Sequence, residues 1–120
     1  MRYIALIDHG PAWVEGKPVW EQGQPIVEHL GAMRTRYDQG SLLLGGPFTD
    51  GAGGIAVLQV QDEAEARALM EADPGVQAGV LVYELHRLRP YFDAFDGTRT
   101  ERSVAELHTD ARAEARAAAG

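Results

Sequence analysis

Apolar positions along the chain fall into short runs and helical stripes, which together predict six elements of secondary structure. Four apolar runs predict strands, at residues 3–7, 41–44, 55–61 and 80–88. Apolar residues three or four apart predict one helix from Pro25 to Gly40 and another from Asp62 to Ala72. We therefore expect an α+β fold of the ferredoxin-like βαββαβ type, with an antiparallel sheet.

The first predicted helix is expected to bury one stripe of side chains, formed by Ile26, Leu30, Met33 and Tyr37. The charged residues of this helix, Arg34 and Arg36 among them, are expected mostly off the stripe. His29 lies beside it in the sequence. We therefore expect the His29 imidazole at the edge of the buried face, half accessible to solvent.

Two connections between the predicted elements are notable for their glycine, proline and tryptophan residues. The strand at 41–44 is expected to end at the turn 45–48, because two glycines let the backbone bend and Pro47 cannot donate to a sheet ladder. Residues 8–24 form a long connection in which Trp13 and Trp20 are expected to act as anchors. Long connections without regular structure are usually functional, so this one is predicted to be a lid.

Both helices of such a fold cover the same face of the sheet. The other face would leave apolar side chains bare in a monomer, and a large exposed apolar face indicates a partner surface. We expect a homodimer in which two open sheet faces pack together. Whether dimers associate further is left open.

Composition narrows the class of protein and of partner. A chain of 120 residues suits one domain, and no apolar run approaches the roughly 20 residues that cross a bilayer. A net charge of -7 disfavours binding to a phosphate backbone. The absence of cysteine is compatible with the cytoplasm. We expect a cytoplasmic protein with no nucleic-acid or membrane partner.

Several short motifs follow one another in a particular order. They are His29 in the first helix, the turn Gly45-Gly46-Pro47-Phe48, the pair Gly53-Gly54, the helix end Ala72-Asp73-Pro74 and the segment Ala78-Gly79-Val80. Together with residues 10–18, this series resembles the YciI-related (YCII domain) family. The resemblance covers about residues 1–92, which it marks as one domain. Residues 93–120 form a C-terminal extension, expected to be helical from its content of alanine and charge.

The resemblance implies a dimeric α+β barrel related to muconolactone isomerase-like proteins. It also implies a catalytic pair, a histidine in the first helix and an aspartate before proline, which match His29 and Asp73. The best-understood activity in the family is elimination of chloride from a chlorinated hydroxyquinol.

The chemistry of this pair has a catalytic and a structural interpretation. Imidazole exchanges protons near neutral pH, so His29 can act as a general base that Asp73 orients. Alternatively, Asp73 only caps the turn before Pro74, and His29 only bonds a neighbouring group.

Other polar and aromatic residues are candidates for substrate binding: His9, Trp13, Gly46, Pro47, Phe48 and His86. Glu84 and His86 share one face of the last strand, but the pattern leaves open which face this is. No two histidines have a local spacing typical of a metal site, and no glycine-rich loop precedes a helix. We therefore expect neither a metal nor another cofactor.

Three hypotheses follow for the whole protein. The first is a small cofactor-independent lyase or isomerase that acts on a small cyclic or aromatic-derived substrate through His29 and Asp73. In it, the 45–48 turn offers backbone donors to a developing oxyanion. The second is a non-catalytic dimeric module that binds a small molecule or a protein. In the third, the two residues only hold two helices together.

Overall fold

A four-stranded antiparallel sheet forms the centre of the computed structural model, which describes residues 1–96 and 102–119. The elements in chain order are β1 (Arg2–His9), α1 (Gln24–Gln39), β2 (Leu42–Pro47), β3 (Gly54–Gln59), α2 (Glu63–Glu71), α3 (Pro74–Gln77), β4 (Leu81–Leu88) and α4 (Val104–Ala119). Across the sheet the strands are ordered β2, β3, β1, β4. The predicted α+β fold with an antiparallel sheet is confirmed.

Local sequence signals account for the helix ends. Pro25 lies in the first turn of α1, where its missing N–H has no intrahelical partner to lose. Gly40 closes the helix in the left-handed conformation, with φ of 88°. Asp62 caps α2 by accepting a hydrogen bond from the Glu65 amide. Pro74 opens the short helix α3 directly after Asp73.

The main core lies between the sheet and the helices. Its buried residues include Tyr3, Ala5, Leu42, Ala56, Leu58, Ala66 and Met70. Residues that alternate with these along the strands point to the opposite, open face. On that face Leu6, Leu44 and Val82 have exposed fractions of 41%, 53% and 43%. The open face of the sheet is therefore rich in apolar surface.

The chain divides into two compact units, Met1–Leu88 and Arg89–Gly120. Within the second unit, helix α4 begins with a reciprocal cap, in which Ser103 Oγ accepts from the Glu106 amide and Glu106 accepts from Ser103. Arg89 and Glu114 form an ion pair at 2.7 Å. Residues 97–101 and 120 of the predicted helical extension lie outside the described residues. None of the described helices is long and apolar enough to cross a membrane.

Two local predictions about the first helix and the second strand are wrong. Leu30 and Tyr37 are 61% and 59% exposed, whereas Ile26 is buried and Arg36 is half-buried. The inner face of α1 is therefore rotated from the predicted stripe. Strand β2 also continues beyond residue 44 to Pro47, because an edge strand tolerates a proline whose nitrogen needs no ladder partner.

Candidate active site

Asp73 is held rigidly between helices α2 and α3. The following proline disfavours helical geometry, and Asp73 has extended backbone angles, φ -69° and ψ 128°. Its Oδ2 accepts hydrogen bonds from the backbone N–H groups of Gly75 at 3.0 Å and Val76 at 3.2 Å. The residue is 1% exposed. The carboxylate therefore has a fixed, buried position.

Helix α1 places the His29 imidazole within hydrogen-bond distance of the Asp73 carboxylate. Nδ1 lies 2.8 Å from both Oδ1 and Oδ2 of Asp73. A carboxylate can only accept, so Nδ1 carries the proton of this bond. The neutral imidazole then has its free electron pair on Nε2. This is the tautomer that a histidine base requires when its other nitrogen is held by a carboxylate.

The second imidazole nitrogen is open to solvent. In the part of the chain that the structure describes, Nε2 of His29 makes no hydrogen bond, and no buried side-chain nitrogen or oxygen lacks a partner. Nε2 is therefore not buried, which agrees with a side-chain exposure of 15%. The arrangement presents one basic nitrogen to a ligand while the other is anchored.

A small cavity lies beside Asp73, between α1, α2 and β3. Its lining residues include Met33, Leu58, Leu69 and Met70, together with Arg36 and Asp73. The space open to the centre of a water molecule is about 10 Å³, which is room for a single water. The cavity can hold one small group but not a whole ring.

Arg36 lines this cavity, and no carboxylate among residues 1–96 and 102–119 pairs with it. Its hydrogen bond within the described residues runs from Nη1 to Gln39 Oε1, at a long 3.5 Å. No ion pair with the described acids neutralises it, although the chain carries 18 acidic residues. The sequence pattern assigned Arg36 to the outer side of α1. Arg36 follows His29 by seven residues, which is two helical turns. This spacing is the one sequence signal that could have placed Arg36 and His29 on the same face of α1.

His9 and Trp13 form an aromatic stack at the end of β1. Their ring centroids are 3.7 Å apart and their planes differ by 5°. Trp13 also packs against a second apolar cluster that includes Ile26 and Val76. Ile26 lies one turn before His29, and the Val76 amide binds Asp73. The stack and the pair of His29 and Asp73 therefore adjoin the same apolar cluster.

The loop that carries Trp13 is held by the buried side chain of Gln22. Its Oε1 accepts from the Val14 amide at 2.8 Å, and its Nε2 donates to the carbonyls of Val14 and Lys17. Gln22 is 7% exposed. No sequence signal singled it out, because an isolated glutamine in a polar loop has no pattern. Trp20 is 78% exposed, so the prediction that it anchors the loop is wrong.

Gly46, Pro47 and Phe48 lie along the exposed edge of the sheet. Gly46 pairs with Ile55 and Pro47 with Gly54 in the β2–β3 ladder, so these two residues are strand and not the predicted turn, and Phe48 directly follows the strand. Phe48 donates its amide to Gly53, whose Cα lies close to the end of β1. Phe48 is thus at the same end of the sheet as His9. No hydrogen bond or ion pair among the described residues joins the three to the pair of His29 and Asp73.

His86 lies on the open face of the sheet. It pairs across the sheet with Ile4, and its Nε2 is 3.1 Å from Glu84 Oε1. The structure thus answers which face these two residues occupy. Within one chain, His86 lies on the opposite side of the sheet from His29 and Asp73.

Tyr83 ties the end of α2 to the sheet on the helical side. Its hydroxyl donates to the Glu71 carboxylate. Burial of the phenol, followed by its bond to Glu71, raises the pKa of Tyr83. Because Glu71 is the last residue of α2, this bond fixes the helix end from which Asp73 follows.

No group of three or more potential metal-binding side chains from histidine, aspartate or glutamate comes together within residues 1–96 and 102–119. The described histidines and acids form only pairs such as His29 with Asp73 and His86 with Glu84. The expectation that the protein uses no cofactor stays a prediction.

Comparison with known proteins adds a family and a fold. A model of the YCII-related domain matches residues 1–89. Among solved structures, the chain is similar to 5-chloro-2-hydroxyhydroquinone dehydrochlorinase from Burkholderia phenoliruptrix, in complex with 2,5-dihydroxybenzoquinone. The TM-score is 0.58 and the identity 17%, over 74% of this chain and 94% of the other. At this identity the likeness shows a common fold. No curated protein matches the chain.

Proposed function

Because the chain belongs to the YCII-related domain family, we propose that it is a small lyase or isomerase that acts on a small cyclic or aromatic-derived substrate. One observation carries this proposal: His29 is anchored to a buried carboxylate through Nδ1, and its Nε2 is open to solvent. The dehydrochlorinase with the same fold acts on a chlorinated, hydroxylated ring, which supports this class of substrate.

In the proposed reaction, His29 Nε2 takes a proton from the substrate. The electrons of the broken bond to hydrogen form a new double bond, and in a lyase the leaving group departs with the electrons of its own bond. The Asp73 carboxylate stabilises the imidazolium that forms and keeps the ring in place. In an isomerase, the imidazolium returns the proton to another atom of the substrate. Neither reaction requires a cofactor.

The stacked rings of His9 and Trp13 are proposed to contact the face of a planar substrate. Such a wall gives area and orientation with few rotatable bonds to order. Phe48 lies at the same end of the sheet and is proposed to contribute to this wall. Gly46 and Pro47 are proposed to contact the substrate from the edge strand beside it.

We further propose that two chains associate through the open sheet face. The support is the run of apolar side chains there, which include Ile4, Leu6 and Val57 and continue to Leu44 on the edge strand. His86 would then lie inside the dimer. Leu6→Glu should convert the dimer to a monomer in sedimentation velocity, whereas Val27→Glu, on the exposed side of α1, should not. A wild-type protein that sediments as a monomer would contradict this proposal.

The test of the enzymatic proposal is product formation by the full chain. Wild type, His29→Ala and the control His108→Ala, which changes an exposed histidine on α4, are incubated with 5-chloro-2-hydroxyhydroquinone and with a panel of unsaturated lactones. We expect turnover of one class, with a loss of about 10²- to 10⁴-fold in His29→Ala alone. Binding of these compounds without chemistry would identify a non-catalytic module. Lost stability without lost turnover would identify a structural pair.

A further inference from the structure

The half-buried Arg36 is a charged group for which neither the fold nor the proposed proton transfer accounts. It lies on the same helix as His29, seven residues further on, which places it about 10.5 Å along the helix axis. It lines the same small cavity as Asp73. From this juxtaposition we infer that Arg36 is a specificity-determining residue that binds an ionised oxygen substituent of the substrate ring.

The walls of the cavity favour this use of the guanidinium. Apart from Arg36 and Asp73, the cavity is bounded by apolar side chains, among them Met33, Leu58 and Met70. In such surroundings a charge-assisted hydrogen bond is stronger than in water. Within residues 1–96 and 102–119, Asp73 forms an ion pair with His29 and none with Arg36, and its oxygens accept from His29 and two backbone amides. The guanidinium thus keeps donors for a ligand.

The size of the cavity defines what it accepts. Room for about one water molecule admits a single oxygen atom of a larger molecule. The inference rests on the proposed function and adds to it that the ring carries an ionised hydroxyl group.

Equilibrium binding of two related quinones tests this inference on the full-length protein. One probe is 2,5-dihydroxybenzoquinone, whose acidic hydroxyl groups ionise at neutral pH, and the other is its dimethyl ether, which cannot ionise. Wild type should bind the dihydroxy compound more tightly than the ether. Arg36→Gln should reduce this preference by roughly 10- to 100-fold, and Arg36→Lys should restore part of it.

Arg34→Gln is the matched control. It removes the same charge from the same helix, but Arg34 is 75% exposed in its side chain and pairs with Asp38. This variant should keep the full preference for the dihydroxy compound. Equal preferences in Arg36→Gln and Arg34→Gln would overturn the inference, as would a wild type that binds neither quinone.

The outcome for Arg36 can be separated from the outcome for the proposed reaction. If turnover depends on His29 while Arg36→Gln behaves like Arg34→Gln, the proposed function stands and the inference is wrong. If ligand preference depends on Arg36 but no turnover depends on His29, the anion site stands and the protein is a binding module.

Discussion

Replacement of Asp73 by asparagine is expected to separate orientation of the histidine from support of the fold. Oδ2 of Asp73 accepts two backbone hydrogen bonds, from Gly75 and Val76. An asparagine oxygen can keep both of these bonds, which leaves its NH₂ group facing His29. Nδ1 of the imidazole must then accept a hydrogen bond, and its proton moves to Nε2. The base would lose the electron pair that it needs.

The expected loss of stability is small because most contacts survive. A bond between His29 and a charged carboxylate becomes a neutral one, which should cost about 1 kcal/mol. For a domain of 120 residues this corresponds to a decrease in Tm of roughly 3 to 6 °C. Asp73→Ala instead leaves two amides unsatisfied and should cost about 2 to 6 kcal/mol. Activity in Asp73→Asn should fall by about 10²- to 10⁴-fold, because general-base catalysis typically contributes this much.

Turnover and urea unfolding are measured on the same preparations of wild type and Asp73→Asn. We expect a large loss of turnover in a protein that remains folded at the assay temperature. This expectation is refuted if Asp73→Asn keeps turnover close to wild type, or if activity falls only in proportion to the unfolded fraction. The second result would make the pair a structural contact between helices.

Three further substitutions, one of them with a control variant, test contacts around the site. The pKa of Tyr83 is raised, so the folded state favours the protonated phenol. The contribution of this phenol to the free energy of unfolding is therefore full below the ordinary pKa of 10.0 and is lost as the pH rises through the higher pKa of the folded state. Tyr83→Phe, which loses the bond to Glu71, should therefore lower the free energy of unfolding by about 1 kcal/mol near neutral pH and by less in strong alkali, measured by urea titration. Gln22→Leu should cost about 1 to 3 kcal/mol and speed proteolysis of its loop, because three backbone bonds are lost; unchanged proteolysis would contradict its assigned role. Gly10→Ala places a Cβ against the backbone oxygen of Gly79 and should lower Tm sharply, whereas Gly31→Ala, with no atom within 4 Å of the added Cβ, should leave Tm unchanged or raise it.

The order of elements could be predicted from sequence because each one combines an apolar pattern with a clear stop. Gly40 and Pro74 mark ends that depend on local backbone geometry alone. The end of β2 could not be predicted in this way. Gly45 and Gly46 have no side chains, so they show no alternation of apolar and polar residues. Pro47 can belong to a strand here only because β2 is an edge strand.

The inner face of α1 shows why the site was only partly predictable. Apolar residues occur on two sides of this helix, with Ile26 and Met33 inward and Leu30 and Tyr37 outward. A periodic pattern cannot distinguish two such faces, because packing against the sheet decides which of them is buried. The inward face carries Arg36 together with His29. The approach of His29 to Asp73 spans 44 residues, and only the resemblance to a family suggested it.

The position of the proton on the His29 ring decides whether this histidine can act as the base. Nitrogen NMR of ¹⁵N-labelled protein distinguishes the two ring nitrogens, and a His29→Gln spectrum assigns the signals. In the neutral imidazole, we expect a proton on Nδ1, held by Asp73, and none on Nε2. A neutral ring with its proton on Nε2 would contradict the account, because His29 could then not serve as the base at its open side.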